Sequence, residues 1–142
     1  MSLHDTFQDY LSQRNLRYTA QKRAIVSAIL DSANYFEIDT FISERYTNGE
    51  HLARATVYRT IKQLLDANLI QKINASNGRV YYECNESLNH HDHIICNACG
   101  KIMEIKNPAI ELALKSECHA IGFTIEYRSV HIYGRCNDCH ND

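Results

Sequence analysis

No run of about 18 apolar residues occurs in the chain, so no membrane-spanning helix is expected. Met1 to Tyr10 lacks the basic flank and apolar core of a secretory signal, and a cytoplasmic location is expected. There is no internal repeat and no low-complexity tract, which excludes repeat arrays and compositionally disordered chains. A strong charge of one sign is missing too: the net charge of −2 does not advertise nucleic-acid binding. The zinc-protease motif His-Glu-x-x-His is absent, and so is the deaminase pair His-x-Glu and Pro-Cys-x-x-Cys. No enzyme activity and no small organic substrate are therefore expected.

What is present is concentrated. Of six cysteines, four form two Cys-x-x-Cys pairs, Cys96/Cys99 and Cys136/Cys139. A reducing compartment disfavours structural disulfides, so these thiols read as metal ligands. Two such knuckles can close one tetrahedral Zn2+ site with no open position for water, which suits structure and not hydrolysis. A thioredoxin-like redox pair would need a strand–Cys-x-x-Cys–helix context, which is missing. Cys84 and Cys118 stand alone and read as buried thiols. Just before the first pair runs His90-His91-Asp92-His93. Mixed nitrogen and oxygen donors suit an exchangeable divalent ion. Alternation along a strand would send His91 and His93 to one face and His90 and Asp92 to the other.

At 142 residues the chain suits one domain or two small ones. Residues 1–83 carry ten Lys and Arg against nine Asp and Glu; residues 84–142 carry five against eight. The first part could approach phosphate and the second could attract cations. Periodicity predicts four helices in the first part. The first spans Ser2–Asn15 with Leu3, Phe7, Tyr10 and Leu11 inward. The second is N-capped by Thr19 and turns Ala24, Ile25, Ala28 and Ile29 inward. The third carries Ile38, Phe41, Ile42 and Tyr46. The fourth runs from about Ala53 to Asn68 with Val57, Ile61, Leu64 and Leu65 inward. Leu69–Asn74 and Arg79–Glu83 then flank the turn Ser76-Asn77-Gly78 as a hairpin. Helices followed by a hairpin describe a winged helix, whose last helix enters the major groove. On that helix Arg54, Thr56, Tyr58, Arg59 and Lys62 form a basic, aromatic face, and Arg79 lies near the wing tip.

Cys84–Asn89 is short and polar and reads as a hinge. Beyond it, His93–Cys96 and Lys101–Ile105 read as strands, and Asn107-Pro108 as a helix start. Gly122 ends that helix, and Phe123–Tyr133 is rich in strand formers. The fold class is α+β. A winged-helix DNA-binding domain (1–83), a hinge (84–89) and a small α/β dimerisation and metal-binding domain (90–142) are expected.

Several stretches together resemble the ferric uptake regulator family of metal-dependent repressors. They are Ala55-Thr56-Val57-Tyr58-Arg59-Thr60, Tyr82-Glu83, His90 to Lys101 with its first cysteine pair, and Tyr133-Gly134-x-Cys136-x-x-Cys139. The resemblance covers nearly the whole chain. It implies a homodimer on double-stranded DNA at an AT-rich palindromic operator, as two-fold symmetry requires. It implies structural Zn2+ at Cys96, Cys99, Cys136 and Cys139, and a sensing site for Fe2+, Zn2+ or Mn2+ at Glu83, His91, His93 and Glu104. It implies that Tyr58 meets thymine methyls, Arg59 a phosphate, and Arg17 the adjacent minor groove.

Two departures stand out. The resemblance calls for a fifth sensing ligand, a histidine, where this chain has Tyr35. That predicts weaker sensing affinity or a phenolate ligand. An accessory metal site would use His90, Asp92, Glu111 and a late histidine, but that last position is Arg128. Arg128 is expected to pair with Asp92 or Glu111 and replace the ion. Peroxide-sensing members tend to carry Asp at the position of Glu104, so Glu104 leans towards an iron or zinc sensor. A constitutive winged-helix DNA binder with structural zinc only, a peroxide sensor, and a metal-storage or redox protein are the rival readings.

Overall fold

A computed structural model describes residues 2–32, 35–75, 78–84, 92–126 and 128–140. The chain forms two compact units; among the described residues the first holds 2–32, 35–74 and 78–84 and the second holds 75, 92–126 and 128–140. The first contains α1 (Leu3–Gln13), α2 (Ala20–Asp31), β1 (Tyr35–Phe36), α3 (Ile38–Thr47), α4 (Arg54–Asp66), β2 (Ile70–Asn74) and β3 (Val80–Cys84). Ser2 and Asp5 close a reciprocal capping box on α1, and the Thr19 hydroxyl accepts the Lys22 amide at the start of α2. One core joins these elements. Phe7, Leu11, Ile25, Val26, Ile29, Phe41, Val57, Ile61 and Leu64 are all essentially without solvent exposure. Full burial of each such side chain contributes about 1.5–3 kcal/mol, so α4 is held by its apolar stripe and its opposite face is left to solvent.

The hairpin forms a three-stranded antiparallel sheet in the order β1-β3-β2. Its register pairs Tyr35 with Glu83 across β1 and β3, and Gln71 with Glu83 across β2 and β3. Ser76 and Asn77 of the expected turn lie outside the described residues. So does the expected hinge, apart from Cys84.

The second unit contains β4 (Asp92–Cys96), β5 (Ile102–Ile105), α5 (Pro108–Ala120), β6 (His131–Gly134) and α6 (Asn137–His140). The sheet order is β5-β4-β6, with β5 antiparallel and β6 parallel to β4. Asn107 caps α5 through the Ala109 amide, Pro108 occupies the first turn, and Gly122 stops the helix in the left-handed region at φ +73°.

Some expectations change. Ala24 is exposed and Val26 takes its place in the core. Tyr46 lies 63% exposed, its ring edge-on to His51, in the last turn of α3. Among the described residues, the strand expected over Phe123–Tyr133 shrinks to His131–Gly134, the stretch that forms the ladder beside β4, since strand-forming side chains need a ladder partner. Neither the two-residue β1 nor the single turn of α6 carries a periodic signal.

Candidate metal centres and nucleic-acid interface

The four-cysteine centre is built by two tight loops of the second unit. Cys96 ends β4 and Cys99 follows in a turn closed by the Gly100 amide on the Cys96 carbonyl. Cys136 and Cys139 flank the first residues of α6. The donor sulfurs all lie within 4.8 Å of one another, and Cys99 and Cys136 Sγ are 3.8 Å apart. A tetrahedron with Zn–S of about 2.3 Å has sulfur–sulfur edges of about 3.8 Å, so the set fits zinc as it stands. The electrostatics agree. Amides of Cys136 and Cys99 donate towards Cys96 Sγ, the former at 3.4 Å, and draw its thiol down to about 6. Hydrogen bonding with the Cys136 thiol, followed by burial, pushes Cys139 up to about 12. Sulfurs this crowded cannot all be thiolates without a cation, which is what a zinc ion supplies.

The other predicted metal ligands divide between the units. In the second, His93 is fully buried on β4, and the register sets it directly beside Glu104 of β5. In the first, Glu83 is buried on β3 and accepts a 2.9 Å hydrogen bond from Gln71 Nε2. Tyr35 lies beside Glu83 in the ladder, with its ring edge-on to Tyr81. His90 and His91 lie outside the described residues.

Asp92 and Glu111, two of the residues read as accessory ligands, are engaged by Arg128. Its Nε and Nη2 donate to the two oxygens of Asp92 at 3.2 and 3.0 Å, and Nη2 lies 3.6 Å from Glu111 Oε1. The Asp92 side chain is 5% exposed and that of Arg128 19%. A bidentate guanidinium here supplies the fixed positive charge that an ion would otherwise bring.

On the first unit, α4 presents Arg54, Tyr58, Arg59 and Lys62 to solvent, with Thr56 half-buried. Arg17 is exposed as well, and its carbonyl accepts from Lys22 Nζ. Arg79, at the wing, faces Glu37 at 3.7 Å. One contributor was missed from sequence. Asp39, in the first turn of α3, forms a 2.9 Å ion pair with Arg54 and accepts the Tyr58 hydroxyl at 3.1 Å. The Arg54 guanidinium also sits 5.2 Å from the Tyr58 ring centre. Burial and this hydrogen bond to Asp39 raise the Tyr58 phenol. No local motif marks Asp39, because the contact joins two helices.

Residues 13–133 match the ferric uptake regulator family. The chain belongs to this family. It is 32% identical over 142 residues to the ferric uptake regulation protein of Campylobacter jejuni, covering 98% of this chain and 89% of that protein. It is 29% identical to the Escherichia coli K12 protein of the same name, over 93% of this chain and 90% of that one. Among solved structures, the ferric uptake regulator from Francisella tularensis with iron is 30% identical over 87% of this chain and 94% of its own, with a TM-score of 0.64. The Pseudomonas aeruginosa regulator with manganese shares the fold at a TM-score of 0.79, with 24% identity over 92% and 97% of the two chains. Members of the ferric uptake regulator family are DNA-binding, metal-binding transcription regulators and not enzymes.

Proposed function

We propose that this protein is a cytoplasmic repressor that binds a palindromic AT-rich operator as a homodimer when Fe2+, Zn2+ or Mn2+ occupies a site held by Glu83, His91, His93 and Glu104. The observation that carries the reading is α4, whose buried stripe fixes it in a winged helix and whose solvent face carries Arg54, Tyr58, Arg59 and Lys62. Residues 1–83 would contact DNA, 84–89 would act as the hinge and 90–142 would dimerise. Support for the dimer comes from the second unit. Its helix α5 has no buried residue, and Leu112, Ile121, Phe123, Ile132 and Tyr133 are exposed. That much uncovered apolar surface on a small unit fits a second copy.

The regulatory ion supplies positive charge and a preferred coordination geometry. Glu83 belongs to the winged-helix part and His91, His93 and Glu104 to the other. Ligands drawn from both parts would make metal occupancy and DNA competence one linked equilibrium. A constitutive DNA binder is the second reading, and Tyr35 in place of a ligand favours it.

Operator binding by zinc-loaded protein, measured with Fe(II), Mn(II), Zn(II) and peroxide added separately, tests the reading. Metal-dependent binding is expected. Metal-independent binding would support the constitutive alternative, and none at all would return the protein to storage or redox roles.

The interface itself yields finer expectations. Arg59→Ala should weaken binding to every sequence and lower the slope of log affinity against log salt by about one. Removing Tyr58 should relax base preference more than it weakens non-specific binding. Asp39→Asn should do the opposite to the salt slope. It frees Arg54 for phosphate and removes a negative charge from the DNA-facing surface, so non-specific affinity rises and the slope steepens by about one. Equilibrium titrations at several salt concentrations would read both changes.

A further inference from the structure

We propose that His131 is a ligand of the regulatory metal, forming with His93 and Glu104 a row of donors across three neighbouring strands. The inference rests on the sensing-site reading above and adds to it a residue outside the predicted set.

The row follows from register. His93 on β4 pairs with Glu104 on β5 across one ladder and with His131 on β6 across the other. Directly paired residues in a sheet project to the same face, with strands about 4.8 Å apart. Glu104, His93 and His131 therefore stand side by side on one face. The neighbouring row, Met103, Ile94 and Ile132, is apolar and faces the other way.

The rings are close to the separation that a shared ion needs. His93 and His131 have centroids 5.6 Å apart at an interplanar angle of 72°. With metal–nitrogen bonds of about 2.1 Å, two imidazoles on one ion have centroids roughly 4.6 Å apart at a right angle and about 5.3 Å apart at the tetrahedral angle. Among the described residues the His93 and Glu104 donor atoms already lie within 4.8 Å of each other, and the His131 ring must swing to join them. The outer contact of His131 suits the role as well. Its Nε2 lies 3.2 Å from Ser129 Oγ, a contact that would orient the ring. His131 thereby restores an imidazole to a ligand set in which Tyr35 has displaced one.

The test uses full-length protein retaining its cysteine-bound zinc, titrated with Co(II), with His131→Ala and His131→Asn as variants. His131 is half-exposed, and the Asn variant keeps a polar edge for Ser129, so retained zinc and an unchanged melting temperature would identify a folded variant. Co(II) affinity is expected to fall at least about 10-fold in both, since even an outer-shell partner is worth about 10- to 100-fold. X-ray absorption of bound Co(II) is expected to show one imidazole fewer. Unchanged affinity would overturn the proposal. Weaker binding with the same number of imidazoles would overturn it too, reducing His131 to a positioning residue. Wild-type protein that takes up no Co(II) beyond its zinc site would overturn both this inference and the sensing-site reading.

Discussion

Chelating the zinc, or replacing Cys96 with serine, is expected to unfold the second unit while the first stays folded. The reason is the imbalance between the two cores. The first unit buries Phe7, Leu11, Ile25, Val26, Phe41, Val57, Ile61 and Leu64 almost completely. Among the described residues of the second, only Ile95 and Cys96 are apolar, part of β4 and buried to that degree, and α5 buries nothing. A small unit with so little core needs a metal or a partner to fold. Structural zinc contributes an apparent 10–16 kcal/mol or so at neutral pH, which exceeds the roughly 5–15 kcal/mol that typically separates a folded domain from its unfolded chain. Thermal unfolding followed by amide exchange should show a single late transition confined to residues 1–84 in the stripped protein. Protection in β4 and β6 that survives chelation would defeat the expectation. The sign of the pH effect follows from the thiols. Cys139, pushed up to about 12 without metal, holds its proton at pH 7 and must release it to bind zinc. Cys96, drawn down to about 6, is already largely ionised there. Zinc uptake should therefore release protons and tighten as pH rises, which titration calorimetry in two buffers of different ionisation enthalpy can measure.

How far this site was readable from sequence differs from residue to residue. The cysteine pairs announce themselves because a Cys-x-x-Cys knuckle is a local device, and four sulfurs at tetrahedral spacing follow from two such loops. The helix stripes of α1 and α4 were legible for the same reason, since burial on a helix repeats within the segment. What escaped depends on partners distant in the chain. β1 exists only because Tyr35 and Phe36 find Glu83 and Tyr82 almost fifty residues later. Asp39 reads as an ordinary helix-start acid until α3 and α4 pack and bring Arg54 and Tyr58 to it. His131 reads as a lone strand histidine, and only the parallel register of β6 on β4 sets it beside His93. The Phe123–Tyr133 stretch erred in the other direction: its composition favours strand throughout, but propensity without a ladder partner does not make one. Arg128 lies between these cases. Its pairing with Asp92 or Glu111 was anticipated from the resemblance, which sets its charge beside those carboxylates, and the bidentate geometry required the fold.

Arg128→Ala is expected to destabilise the second unit by about 3 kcal/mol. Breaking a buried ion pair costs about 3–5 kcal/mol, mostly because one charge is left buried without its partner. The lower end applies, because the Arg128 side chain retains 19% exposure and that of Glu111 49%, so water can reach part of the gap. Adding Asp92→Asn to Arg128→Ala removes the stranded charge and should recover much of the loss. A double-mutant cycle that showed simple additivity would mean that the pair is not coupled. Arg128→His takes the argument from stability to metal chemistry. An imidazole is a ligand where a guanidinium is a permanent cation. With Asp92 and Glu111 released, and with His90 two residues before Asp92 in sequence, the variant should take up one more divalent ion than the wild type. Its melting temperature should then rise with added Zn(II) or Co(II), by linkage worth about 2.7 kcal/mol when free metal reaches a hundred times its dissociation constant. Wild-type protein, with Arg128 already seated between the carboxylates, should show no such extra stabilisation. If both proteins take up the ion equally, Arg128 can be displaced by metal and the ion pair is a closed form of an accessory site. If only the variant does, a covalently attached cation has removed one metal from the response, and the protein answers to the ion at His93 and Glu104 alone.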